Sequence, residues 1–243
     1  MNLHKLLLTK NACYKAGKTI IPKGIMVHST GASNPWLKCY IGPDDGLLGK
    51  NQYNNHWNQD KPGGKQVCVH AFIGKLADGS IATYQTLPWN HRGWHCSSGW
   101  KGSGNDTHIG FEICEDNLTD RSYFRKVFNE AVELCVYLCK LYGLNENNII
   151  CHSEGYKLGI ASNHADVMHW FPRHGETMDS FRNAVKERLQ AEAEKEEKKY
   201  YQVQVGAFSN KSNAEAILAK VKAAGFTDAF IKTNNLLTKP LGD

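Results

Sequence analysis

The 243-residue sequence has no apolar run long enough to cross a bilayer, so no membrane insertion is expected. Its amino terminus, MNLHKLLLTKNACYKAG, carries only a short leucine run and no small-residue cleavage site. A secretory signal is therefore not expected, and synthesis in the cytoplasm is. The eight cysteines include no CxxC pair, and Cys135 and Cys139 sit four apart on an expected helix. Reduced, mostly buried thiols are expected in preference to a disulfide frame or a cysteine-rich metal site. There is no Walker-type loop, dense arginine cluster or basic helix, and the formal charge is a modest +5. Nucleic acid is thus not an expected partner, and the charge implies only a mild preference for anionic surfaces such as cell wall.

Histidine, in contrast, is concentrated. Residues 149–175, IICHSEGYKLGIASNHADVMHWFPRHG, place His152, His164, His169 and His174 with Glu154 and Asp166 between an apolar run and a Pro-marked loop. Such density is metal-site chemistry. The run Ile149-Ile150-Cys151 reads as a buried strand that delivers His152 at its end, with a loop after it to deliver a second ligand. Zinc takes such nitrogen and oxygen donors, and a catalytic zinc uses three protein ligands and keeps one position open. Another apolar run ends in His28, within GIMVHSTG, and two histidines at strand ends can meet at one sheet edge. A structural, hydrogen-bonded role remains open for each histidine taken alone.

Taken in order, residues 9–23 read as a loop or short helix, and 32–65 as a long loop carrying Trp36, Tyr40, Tyr53 and Trp57. Those aromatics either form a cleft wall or anchor the loop to the body. A hairpin follows over 67–83 with its turn at Ala77-Asp78-Gly79-Ser80. The strand HIGFEICE from His108 is interrupted by Glu112, a carboxylate that needs a partner, a metal or a catalytic task. Residues 120–144 show helical spacing from Phe124 to Leu141, with Asp120 or Thr119 as cap and Gly143 as terminator. A last helix begins at Met178.

These elements predict an α/β fold: a mixed central β-sheet flanked by helices over 1–189, a charged helical linker over 190–199, and a small βαβ unit over 200–243. In the tail, 200–208 and 226–233 read as strands around a helix capped by Ser212 and ending at Gly225. One βαβ unit is too small to bury a good core.

VHSTG with His28, HAFIGKLADGSI, Gly93-Trp94-His95, IGFE ending at Glu112, and CHSE with His152 occur in the order found in a known family. Over roughly 22–189 the chain resembles the zinc N-acetylmuramoyl-L-alanine amidases of the type 2, peptidoglycan-recognition-like family. The resemblance implies a Zn2+-dependent peptidoglycan hydrolase, an endolysin or autolysin, that cleaves the amide between N-acetylmuramic acid and L-alanine of the stem peptide. It implies His28, His152 and Asp166 as metal ligands, with His169 as a rival third ligand, because His164 and Val167 stand where the family has lysine and proline. It further implies Glu112 as the catalytic glutamate, His164 as oxyanion donor, and His70, Trp94 and His95 as substrate-binding residues along the cleft. Glu154 is expected to orient a ligand histidine.

The tail, with YYQVQVGAF and NAEAILAKVKAAGF, resembles the first half of a SPOR module. This implies glycan binding, with a homodimer through the tail as a means of supplying the missing surface. Without a signal, the enzyme is expected to reach the wall after host lysis, as a phage or prophage enzyme would. The alternatives are a recognition protein that binds muropeptides without cutting them, and a zinc nuclease using NHADVMH.

Overall fold

Among the described residues six strands form one sheet: β1 (Leu3–Lys5), β2 (Gly24–Ser33), β3 (Ala71–Lys75), β4 (Ile81–Gln85), β5 (His108–Glu115) and β6 (Ile149–Cys151). Helices α1 (Ala12–Ala16), α2 (Arg121–Tyr142), α3 (His152–Lys157) and α4 (Met178–Glu197) are interleaved with them. The structure, a computed structural model, describes residues 1–197 and 203–233. The strand order is β1-β4-β3-β5-β2-β6. Only the β3–β4 hairpin is antiparallel; β2 pairs in parallel with both β5 and β6. The mixed α/β sheet is the one expected. β1 was not: three residues carry too little pattern to read, and only pairing with β4 reveals the strand.

Alternation decides which residues reach each face. Ile25 and Val27 of β2, Ile109, Phe111 and Ile113 of β5, and Cys151 of β6 pack with Phe124, Val127, Phe128, Ala131 and Leu134 of α2. Phe181 and Val185 of α4 complete this core. The intervening residues, His28 and Glu112, are therefore carried to the opposite face, where the β2–β5 register sets them side by side. The α2 ends are those the sequence indicates. The Asp120 side chain accepts from the Tyr123 N–H, and Gly143 ends the helix at φ 65°. The hairpin turn likewise closes as expected, with Gly79 at φ 84° and Asp78 accepting from the Ser80 N–H.

The long loop is a second packed layer more than a cleft wall. Leu37, Ile41 and Leu48 are buried with Phe72 and Tyr84, and Tyr40 and Trp57 lie against Phe72 with ring centroids 5.2 and 5.0 Å away. Anchoring is thus what these two aromatics do, whereas Tyr53 is exposed. The thiol expectation needs correction at one pair. Cys13, on α1, and Cys68, ahead of β3, form a disulfide across 55 residues, while five of the other six cysteines are buried free thiols and Cys39 is half-buried. No local spacing announces a bond between positions so far apart.

The first unit runs Met1–Lys195. As far as residue 197 the charged run expected as a linker continues α4, where Arg188 pairs with Glu133 and Glu192 with Lys140, both on α2; residues 198 and 199 lie outside the described residues. Within the second unit, Glu196–Asp243, the described residues hold one helix, α5 (Lys211–Ala223). It is capped by Asn210, whose side chain accepts from the Ser212 N–H, in place of the expected Ser212. Neither expected strand forms among the described residues. Residues 203–208 and 226–233 are extended or irregular, and Val203, Phe226 and Phe230 are exposed. An alternating sequence needs a neighbouring strand before it can become a ladder. Residues 200–202 of the first expected strand lie outside the described residues.

Candidate active site

β6 ends at Cys151, the register partner of Val27, whereas β2 runs on to Ser33, so His28 lies within its strand and not at the strand end expected. The next residue on each chain, His28 and His152, turns to the face away from α2, and their Nδ1 atoms approach to 3.1 Å. His152 is also the first residue of α3, whose start is held by Glu154 accepting from the Cys151 N–H. The third group comes from the loop after α3, where buried Val167, Trp170 and Phe171 pin the chain to the core. That anchoring sets Asp166 with Oδ2 3.0 Å from His28 Nδ1 and Oδ1 3.6 Å from His152 Nδ1.

The three donors lie within 4.8 Å of one another and all are buried. A tetrahedral zinc with ligands at about 2.0–2.1 Å separates its ligand atoms by roughly 3.3 Å, so the observed spacings fit such an ion. Burial pushes the His28 imidazole toward neutrality against the pull of Asp166. Burial also opposes charge on Asp166, but hydrogen bonds with His152 and His28 outweigh it and hold the carboxyl well below the usual carboxylate range. A neutral imidazole and an ionised carboxylate are the protonation states that ligation requires.

His169, the rival ligand, is elsewhere: its Nε2 lies 2.9 Å from Glu115 Oε1. Glu112 stands beside His28 in the register. Its residue surface is only half-buried, yet Oε2 is enclosed and has no hydrogen-bond partner among the described residues. Burial, reinforced by the charges of Asp166 and Glu115, raises its pKa well above that of an ordinary glutamate. His164 is exposed and faces the set with its ring centroid 4.8 Å from that of His152.

Two expectations change. His70 is wholly buried; its Nδ1 accepts from the Gly110 N–H and its Nε2 donates to the His91 carbonyl, so it braces the sheet and does not line a cleft. Glu154 makes a two-pronged pair with Arg182 of α4 and does not contact the His152 ring. His95 is half-buried, with Nδ1 2.9 Å from His28 Nε2. Trp94 is exposed, as expected, with Arg92 over its ring. Sequence reasoning missed Ser162, whose hydroxyl is 3.3 Å from His152 Nε2; a lone loop serine carries no signal.

Two imidazoles, one within β2 and one at the start of α3, and a loop carboxylate thus converge next to an enclosed carboxyl group as a set that could hold one metal ion. The model for N-acetylmuramoyl-L-alanine amidase matches residues 17–173, and the chain belongs to that family. Residues 197–239 match the SPOR domain. The chain is similar to the N-acetylmuramoyl-L-alanine amidases CwlH and XlyA of Bacillus subtilis (strain 168). CwlH is 37% identical over 71 residues, 29% of this chain and 27% of the relative. XlyA is 39% identical over 69 residues, 28% of this chain and 22% of the relative. The chain thus spans about a quarter of the length of these curated relatives. The fold matches the structure of PlyL, with a TM-score of 0.55 and 22% identity, over 76% of this chain and 98% of that one. It also matches the catalytic domain of XlyA, with a TM-score of 0.53 and 23% identity, over 76% and 99%.

Proposed function

We propose that the chain is a zinc-dependent peptidoglycan amidase that hydrolyses the bond between the lactyl group of N-acetylmuramic acid and L-alanine of the stem peptide. The mutual spacing of His28, His152 and Asp166 beside Glu112 carries this reading. Zinc held by these three residues would supply Lewis acidity, polarising the scissile carbonyl and acidifying the attacking water. Glu112 takes the proton of that water at its unpartnered Oε2 and returns it to the leaving nitrogen as the C–N bond breaks. A raised pKa suits both halves of that transfer. His164, on the open side of the set, donates to the oxyanion of the tetrahedral species, a role worth about 10²–10³ in rate. The SPOR match supports wall binding by the tail; a homodimer through the tail is not part of this reading.

The test is zinc content and wall lysis of the purified chain on isolated peptidoglycan, with release of new L-alanine amino groups. Wild type should cut. Glu112→Gln should bind zinc and wall but lose about 10²–10⁴ in rate. Wall binding by a zinc-loaded wild type that releases no amine would instead establish a recognition protein.

A further inference from the structure

Both ligand histidines turn Nδ1 toward the donor set, so with a metal held there each neutral ring carries its proton on Nε2. Each Nε2 has a partner, and the two partners lead back to one short loop. His28 Nε2 is 2.9 Å from His95 Nδ1; as acceptor there, His95 keeps its own proton on Nε2, which faces the His108 carbonyl at 3.3 Å. His152 Nε2 is 3.3 Å from Ser162 Oγ, whose hydroxyl donates in turn to the Cys96 carbonyl. One tautomer assignment satisfies both chains, and each ends on a backbone oxygen.

The loop itself is fixed. Asn105, wholly buried, accepts with Oδ1 from the His95 and Cys96 N–H groups at 2.7 and 3.3 Å. The His95 ring lies where strand β5 has no side chain: a Cβ on Gly110 would sit 2.5 Å from its Nδ1. The place of the ring is thus built into the sheet.

We infer that residues 95–96 form the positioning element of the zinc site, His95 orienting His28 and the Cys96 carbonyl orienting His152 through Ser162. The inference rests on the proposed function for the identity of the ion. Neither His95 nor Ser162 is one of the three donors; each acts by holding a ligand's ring angle and tautomer, the kind of support whose loss weakens metal binding about 10–100-fold.

Zn2+ affinity of the full chain, by competition with a chromophoric chelator, tests this alongside thermal unfolding of the metal-free protein. His95→Ala and Ser162→Ala should each weaken Zn2+ binding by at least about 10-fold. His95→Asn, which keeps an acceptor near the Nδ1 position, should recover most of that loss, a rescue that mere packing would not produce. Long-range ¹H–¹⁵N spectra of zinc-loaded wild type should show His28 and His152 protonated at Nε2. If His95→Ala does not fold, Ser162→Ala decides alone. Folded variants with wild-type affinity would overturn the positioning role and leave the zinc site standing. A wild type that binds no zinc would overturn the functional reading and this one with it.

Discussion

His70 makes acid sensitivity of the fold a calculable property. The imidazole is fully enclosed, and burial lowers its pKa from the ordinary 6.5 to about 4, against the hydrogen bond to the His91 carbonyl, which favours the charged form. The unfolded chain takes up this proton near pH 6.5, whereas the folded chain resists it until about pH 4. Between those values the unfolded state binds more protons, so stability contributed by neutral His70 is complete above pH 6.5 and is lost as pH falls toward 4. At about 1.4 kcal/mol per pKa unit, the loss is about 3 kcal/mol. The assay is urea unfolding of metal-free protein at intervals from pH 7 to 4, for wild type and His70→Gln. Glutamine keeps a donor for the His91 carbonyl but does not titrate. Wild type should lose about 3 kcal/mol more than the variant across this range. Parallel stability curves would refute the argument, because they would mean that His70 is charged, or equally exposed, in both states.

Asp166→Ala should abolish stoichiometric zinc binding, while His169→Ala should retain it in metal analysis. By removing one of two partners of buried Glu115 Oε1, the other being the Gly31 N–H, His169→Ala should also lower stability by about 1 kcal/mol in denaturant unfolding. Reduction of the Cys13–Cys68 bond, which closes a loop of 55 residues, should lower stability by about 4 kcal/mol on the chain-entropy account. This is checked by unfolding with and without reductant, and by whether thiol titration of the denatured, unreduced chain finds six groups. Phe124→Ala should cost about 3–5 kcal/mol in the same assay, since the ring is fully buried against Trp170, Phe171 and His174.

The strands that carry the site were legible because β2 opens on an apolar run that leads to His28, β5 sets Glu112 between apolar neighbours, and the apolar β6 is followed directly by His152. The α2 helix and the hairpin were legible because their ends are marked by Asp120, Gly143 and Gly79, residues whose side chains or φ angles those positions need. In the tail, alternation in 203–208 and 226–233 is real, but no ladder neighbour accompanies it among the described residues, so neither expected strand appears there. His70 and His95 look alike in sequence. One braces backbone at Gly110 and His91, and the other reaches His28.

The amino-acid sequence by itself determined which residues are donors, which faces are apolar and where helices begin and end, because periodicity, caps and side-chain chemistry act within a few residues. Only the tertiary structure brought Asp166 to His28 and His152 and His169 to Glu115, joined Cys13 to Cys68, and turned Glu154 toward Arg182. Those outcomes depend on distances between groups separated by tens to more than a hundred residues. Such distances are set by how the sheet, its packed helices and the anchored loop close around the core.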